Sequence, residues 1–430
     1  MKKLPLYLQI ILGMVTGVLF AFLMIQFDFG VPFLVRWVKP FGSIFINLLK
    51  LIAVPLILAS LVKGISDLKD ISKLGSMGLR TIGLYLFTTV VAICIGLGMV
   101  NLIKPGKTIP EATRQEMLTT YGGVAASKQE QALQQKEQGP LKFLEDIVPE
   151  NIFGAASSNA QMLQVIFFAL FLGIAMIMIP EANSKPVKDF FDSLNDIVLK
   201  MIDIIMLGAP FGVFALMASL VAESPGLALF KALGLYALTV VLGLMILIFI
   251  FYPLLLSLFT GRNPLQFLRQ IVPAQLLGLS TSSSAATLPL TMEVAEEKVG
   301  IDNEVASFVL PIGATINMDG TSLYQAVAAV FIAQAFGMDL SFTAQLGIIL
   351  TALLASIGSA AVPGAGMVML VIVLTQAGIP EAGLALIFAV DRPLDMLRTS
   401  TNITSDLTVC TIVAKWLGKL EDPLKRPTTT

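Results

Sequence analysis

Six runs of about twenty apolar residues recur along the first part of this chain, near residues 6–26, 41–64, 77–103, 161–181, 195–222 and 228–259. A run of that length crosses the roughly 30 Å hydrocarbon layer of a bilayer as an α-helix. Inside a membrane every backbone group has to be paired within the protein, so helices are the elements such runs can form. The runs are continuous rather than alternating, and the chain is therefore read as an all-α, multi-pass membrane protein. Charge agrees: only 13% of the 430 residues are charged, where a soluble chain carries about a quarter.

The same composition removes several classes of function. Net charge is −1, so no basic footprint points to nucleic acid. The chain has no histidine, which removes Ser–His and Cys–His catalysis and His-ligated zinc. Its two cysteines, Cys94 and Cys410, both lie in apolar stretches and are expected to be small buried hydrophobes rather than a redox pair. Lys2 and Lys3 precede an apolar run from Leu4 to Ile25, longer than a signal-peptide core, and a retained first transmembrane helix is expected.

The main polar interruption is 104–158, rich in Gln, Glu, Lys and Gly, and reads as a solvated loop. Lys63, Lys69, Lys73 and Arg80 lie between the second and third runs, and Lys415, Lys419, Lys425 and Arg426 follow the last. By the excess of basic residues in cytoplasmic loops, both termini are expected in the cytoplasm and the long loop outside.

Beyond residue 260 the apolar runs are broken. Ser280 to Pro289 and Ala355 to Gly366 are small-residue, serine-containing tips, each between two apolar arms of about a dozen residues, too short to cross alone. Irregular chain at membrane depth is tolerated only inside protein or along a cavity. Both segments are read as re-entrant helical hairpins, with ordinary interfacial loops as the alternative. Paired broken elements point to a transport site near the bilayer midplane.

The last run carries Asp391, Arg392, Asp395, Arg398, Thr399, Asn402 and Asp406. At about 100° per residue, Asp391, Arg398, Thr399, Asn402 and Asp406 fall within about 60° of Asp395, with Arg392 at the edge. Such a face is costly in lipid unless it meets a cavity and partners. A self-cancelling ion network would explain Asp391, Arg392, Asp395 and Arg398, but not Asn402 and Asp406. The Asn317-Met318-Asp319-Gly320-Thr321 break adds carboxylate, amide and free carbonyl oxygens, which suit a small hard cation; a plain turn between two helices is the alternative.

With these residues in view, the chain resembles the glutamate transporter homologues, the dicarboxylate/amino acid:cation symporter family. The likeness runs over nearly the full length and is strongest over 275–416, in Ser282–Pro289, Asn317–Thr321, Ser356–Gly366 and Asp395–Asp406. The resemblance implies eight transmembrane helices plus the two hairpins, inverted repeats and a homotrimer. It divides the chain into scaffold helices over 1–76, a third helix of the transport domain over 77–103, an extracellular loop over 104–160, scaffold helices over 161–223, the rest of the transport domain over 224–420 and a cytoplasmic tail over 421–430. The transport domain would move as an elevator, with the second hairpin as the gate, in the cell membrane.

The resemblance also implies site residues. Asp395 matches the carboxylate that holds a substrate α-amino group. Arg398 matches the arginine for the side-chain carboxylate, a planar donor suited to that task. Thr399, Asn402, Thr321 and Met318 line the same pocket. Ser282, Ser283 and Ser284 on the first tip, and Val362, Pro363 and Gly366 on the second, match its contacts and gate. One sodium site would use Gly313, Asn317, Asn402 and Asp406. A second would use Thr315, Ser356, Ile357 and Ser359. A third would use Tyr85, Thr88, Thr89, Asn317 and Asp319.

Two departures stand out. Family members often place a further arginine on the first hairpin tip or just after the site aspartate; here those positions are Ser282 and Met396, and Arg392 is the candidate replacement. Gln325 stands where proton- and potassium-coupled animal relatives have a glutamate, and an amide takes up no proton. The expectation is therefore sodium-coupled symport of aspartate or glutamate without proton or potassium coupling. A dicarboxylate carrier would not need Asp395, and a neutral amino-acid carrier would not need Arg398. A channel lined by aspartates would need no zwitterion pair, and a membrane hydrolase acting through Ser282–Ser284 has no histidine to activate it.

Overall fold

The computed structural model describes residues 6–67, 76–110, 148–157, 162–223, 227–357 and 364–421, and these are almost entirely helical. The helices are α1 (Leu6–Met24), α2 (Lys39–Asp67), α3 (Ser76–Ile103), α4 (Met162–Met178), α5 (Glu181–Leu207), α6 (Ala209–Glu223), α7 (Leu227–Ile246), α8 (Tyr252–Thr260), α9 (Pro264–Thr281), α10 (Ser284–Glu293), α11 (Asn303–Ile316), α12 (Asp319–Ala335), α13 (Phe342–Ile357), α14 (Ala365–Gln376) and α15 (Leu384–Trp416). The π-helical turn Leu247–Phe251 joins α7 to α8 in one continuous rod.

Among the described residues two helices are long and apolar enough to cross a bilayer on length and composition alone, 77–108 and 231–260. The pair 181–205 and 209–219 adds a third if its 52° bend lies within one span. The 33-residue α15 has the length to cross but carries its charges inward.

Every residue of α12 is buried, as expected of a helix that is packed on all sides. Around it lie α3, α7, α13 and α15. A second set, α1 with α6 and α2 with α4 and α5, packs against itself. Exposed Phe171, Phe211, Leu207, Leu254 and Leu258 form an apolar exterior that suits lipid.

At both expected hairpin positions two helices pack together, and one arm of each is longer than a dozen residues. In the first, α9 has 18 residues and the chain reverses at Ser282–Ser283 into α10. Ser282 sits in the left-handed region at φ 53°, a conformation that costs a non-glycine residue about 1–2 kcal/mol. Asn263 caps α9 through Leu265 and Gln266, and Ser283 caps α10 through Ala286, so these small polar residues supply the partners that helix ends lack. In the second, α13 has 16 residues and α14 has 12; residues 358–363 between them lie outside the described set.

Two expectations need correction. Cys410 is buried, but Cys94 is exposed: α3 turns that flank outward, where a thiol is as acceptable as any small apolar group. The polar segment after α3 is not solvated from its start. Pro105 and Gly106 are buried, and Gly106 N–H donates to Gln334 Oε1 at 3.1 Å; the amide of α12 pairs backbone that would otherwise be orphaned. Residues 111–147 and 158–161 of that loop, and the tail 422–430, are outside the described set.

Candidate functional site

The face of α15 that the sequence marks as polar is turned wholly inward. Asp391, Asp395, Arg398, Thr399, Asn402 and Asp406 are all buried, Arg398 completely. Its N-terminal half forms an ion cluster. Arg398 Nη2 donates to Asp395 Oδ1 at 2.8 Å and to Asp391 Oδ1 at 3.0 Å. Arg392 Nη1 donates to Asp395 Oδ2 at 3.1 Å. The ring of Tyr324 lies under the Arg398 guanidinium, 3.8 Å from its centroid, a favourable placement for a cation.

These four charges form the ion network that was the alternative reading of this face. The Arg398 Nε and Nη1 groups are buried and have no hydrogen-bond partner among the described residues, which is costly unless a ligand completes them. The second hairpin reaches the same spot: Gly364 N–H donates to Asp395 Oδ2 at 3.2 Å. A Cβ at Gly366 would lie 3.0 Å from Thr321 Cγ2 and 3.3 Å from Arg398 Nη1, so the glycine lets the hairpin backbone close over the arginine. The first hairpin lies along α15, with Gln275 donating to Thr404 at 2.9 Å. Its tip leaves Ser282 Oγ buried and without a partner among the described residues, while Ser283 and Ser284 are buried beside it. The unpaired Arg398 N–H groups are charged donors of the kind that carboxylates accept from.

The second half of the face meets the break in the α11–α12 rod. Asn317 and Met318 have non-helical backbone. Asn317 Nδ2 donates to Asp406 Oδ1 at 2.8 Å and to Ser405 Oγ at 2.9 Å, and Thr88 reaches Asn317 Oδ1 at 3.4 Å. Asp319 accepts from Thr89 at 2.6 Å, Ser405 at 2.7 Å and Tyr252 at 2.9 Å. Asn402 Oδ1 accepts from Gly320 N–H at 2.8 Å. A Cβ at Gly313 would sit 2.4 Å from Tyr85 Oη and 2.5 Å from Asp406 Oδ1, so only glycine admits that convergence. Among the described residues neither Asp319 nor Asp406 has a cationic partner. Two buried carboxylates held by hydroxyls and an amide are ligand types that suit a small hard cation.

The sequence-expected residues thus fall into three groups. Asp395, Arg398, Thr399, Thr321 and Gly366 converge with hairpin backbone, although the Thr399 hydroxyl donates to the Asp395 carbonyl of its own helix. Met318 and Asn402 join the two halves, with Asn402 Nδ2 3.2 Å from the Met318 sulfur. Thr88, Thr89, Asn317, Asp319 and Asp406 cluster with Gly313, and Tyr85 lies at their edge, donating to the Val309 carbonyl at 3.0 Å. Of the set Thr315, Ser356, Ile357 and Ser359, Ser356 lies at the break, donating to the Ile316 carbonyl at 3.3 Å and accepting from Met318 N–H at 3.2 Å. Thr315 donates to Pro311 within its own helix, Ile357 ends α13, and Ser359 lies outside the described residues with Val362 and Pro363.

Sequence reasoning missed Tyr252, Ser405 and Tyr324. Tyr252 is a lone phenol in the apolar stretch 244–256, which was the available signal. Ser405 falls about 80° from Asp395 on the helical wheel, just outside the marked face. Tyr324 neighbours Gln325 but looks like a core aromatic until Arg398 is seen above it.

Comparison with known proteins identifies the family. Residues 6–416 match the model of the sodium:dicarboxylate symporter family. The chain is 37% identical to excitatory amino acid transporter 1 of Ambystoma tigrinum over 409 residues, covering 85% of this chain and 74% of that one. It is 36% identical to excitatory amino acid transporter 3 of Oryctolagus cuniculus, covering 96% and 84%. It is 34% identical to the proton/sodium-glutamate symport protein of Bacillus caldotenax, covering 98% and 97%.

Proposed function

The chain belongs to the sodium:dicarboxylate symporter family, a family of transporters and not of enzymes, and on that premise we propose that it imports an acidic amino acid, aspartate or glutamate, by symport with sodium. The carrying observation is the pairing on one helix of a carboxylate with a buried guanidinium whose Nε and Nη1 lack partners among the described residues, both beside the second hairpin. Arg398 would take the substrate side-chain carboxylate, and Asp395 its ammonium. Thr321, Thr399 and Asn402 would fix its orientation, with the first tip at Ser282–Ser284 holding the α-carboxylate.

Sodium enters this reading as cargo. Asp319 and Asp406 are carboxylates without a countercharge of their own, and a cation there neutralises them. Because Asn402 joins Gly320 N–H and Met318 to the same helix face, an ion at the break orders the floor of the substrate pocket. Binding of ion and substrate is then mutually favourable, each raising the other's affinity by the same factor. In this reading the chain acts as a homotrimer in the cell membrane with both termini cytoplasmic. α1, α2 and α4–α6 form the scaffold, the remaining helices and both hairpins form the moving elevator, and the second hairpin is the gate.

Coupling is proposed to be to sodium alone. Gln325, buried in α12, donates to the Gly366 carbonyl at 3.3 Å, so the position facing the gate is held by an amide that does not titrate. The Bacillus caldotenax relative is named a proton/sodium symporter, so this point needs its own measurement.

The test is uptake of labelled aspartate into proteoliposomes under an imposed sodium gradient, with unlabelled glutamate, succinate and serine as competitors. Uptake that follows the gradient, with glutamate competing well and serine poorly, supports the proposal. Equal aspartate affinity at low and high sodium refutes the coupling. Uptake driven by a pH or potassium gradient at constant sodium refutes the ion assignment.

A further inference from the structure

The first ion cluster contains a group that the proposed substrate does not need. Arg392 lies on the outer side of Asp395, and its Nη1 shares Asp395 Oδ2 with Gly364 N–H of the second hairpin. Its side chain is 11% exposed. It borders a crevice with room for about one water molecule, walled by Ile10 of α1, Phe388, Met367 and Gly364. Its Nε is buried and has no partner among the described residues.

Charge counting gives this placement a consequence. Asp391, Arg392, Asp395 and Arg398 carry two negative and two positive charges, and the hydrogen bonds link all four. Asp395 is therefore neutralised before any ligand amine arrives. If Arg392 were absent, the cluster would carry one uncompensated buried carboxylate, a state that costs several kilocalories, and only a ligand ammonium would relieve it.

We infer that Arg392 is a positioning residue that sets how strictly the site demands an amine, and that it allows amine-free four-carbon dicarboxylates to bind beside acidic amino acids. This rests on the reading of Asp395 as the partner of the substrate ammonium. With Arg392 in place, succinate can pair with the unpartnered Arg398 donors without leaving Asp395 unpaired. With Arg392 removed, the amino group becomes the only available countercharge and discrimination rises.

The experiment measures aspartate, glutamate and succinate dissociation constants in saturating sodium for the full-length protein and for Arg392→Gln and Arg392→Lys. Arg392→Gln is expected to raise the ratio of succinate to aspartate dissociation constants on the order of tenfold. Arg392→Lys is expected to keep it near the parent value, because a single Nη1 contact is one that an ammonium can replace. The glutamate to aspartate ratio is expected to stay fixed, since both ligands carry the amine; a merely loosened pocket would move it. An unchanged succinate ratio in Arg392→Gln, an equal rise in Arg392→Lys, or succinate that never displaces aspartate from the parent protein overturns the inference. Failure of the parent protein to bind aspartate in sodium would instead overturn the function proposed above. Should the glutamine variant not fold, Arg392→Met keeps the apolar stem against Ile10 and Phe388 and carries the same expectation.

Discussion

The two halves of the α15 face treat buried charge in opposite ways. Toward its start, Asp391 and Asp395 are matched by Arg392 and Arg398, and the surplus there is of donors: Arg398 Nε and Nη1 have no partner among the described residues. Toward its end, Asp406 and the facing Asp319 meet only hydroxyls and an amide. A neutral cluster with spare donors has the character that an anionic group meets. A cluster with spare negative charge on oxygen-only partners has the character that a cation meets. One helix therefore presents two charge environments, with Asp406 eight to fifteen residues from the first cluster, and the break at Asn317–Met318 lies between them.

The largest expected effect comes from making the same substitution in both halves. Asp406→Asn removes a carboxylate that has no cationic partner, so sodium affinity should fall by about 3–5 kcal/mol, the scale of a lost partner for a buried charge. The sodium-free protein should melt at a higher temperature, because its unpaired charge is gone. Asp395→Asn leaves guanidinium charge uncompensated and should lower the melting temperature with or without sodium. Thermal melts in sodium and in choline read both signs. Two variants that shift in the same direction would break the comparison.

Arg398→Cys sharpens the first half alone. It should weaken aspartate binding by about 2–5 kcal/mol, the usual cost of truncating one member of a buried charged pair, and leave sodium binding in the absence of substrate within a few-fold. A neutral competitor such as serine should gain relative to aspartate. Isothermal titration with each ligand measures the contrast, and a parallel loss of sodium binding would show that the halves are not separable.

In the second half, Ser405→Ala deletes a hydroxyl that serves two groups at once, accepting from Asn317 and donating to Asp319. Hydrogen bonds to charged groups are worth about 1.5–3 kcal/mol, and sodium affinity should fall by that much. Tyr252→Phe removes one donor to the same carboxylate and should do less. Sodium titrations of intrinsic or attached fluorescence order the two, and Tyr252→Phe exceeding Ser405→Ala would contradict the hydrogen-bond pattern.

These residues also show where sequence reading succeeds and stops. The charged face of α15 was legible because a helix repeats every 3.6 residues and charge within an apolar run has few explanations. The break at Asn317–Met318 was legible because Asn317 to Thr321 interrupts a long apolar stretch. The role of Tyr252 was not: its partner Asp319 lies 67 positions away, and no local pattern encodes which helix a phenol will face. The pairing of Arg392 with Asp395 was within reach of spacing, being three residues along one helix. The unpaired Nε and Nη1 of Arg398 were not, because an absence of partners exists only once every neighbour is placed. Cys94 was misread for the related reason that hydropathy does not distinguish lipid from protein interior.

The smallest expected effect concerns Tyr324, which supports the first half from below. Its ring lies 3.8 Å from the Arg398 guanidinium, and its hydroxyl, 3.6 Å from the Met367 sulfur, also faces Asp391 and Tyr236. If the ring face supplies the attraction, Tyr324→Phe should leave aspartate affinity nearly unchanged, and Tyr324→Leu should weaken it by about 0.5–2 kcal/mol, the range of a cation–π contact. The loss should fall on aspartate and glutamate alike, because both use the same guanidinium, and should spare sodium binding measured without substrate. If Tyr324→Phe were as damaging as Tyr324→Leu, the hydroxyl and not the ring would be what holds Arg398 in place, and the second hairpin, through Met367, would have to be counted as part of the arginine's support.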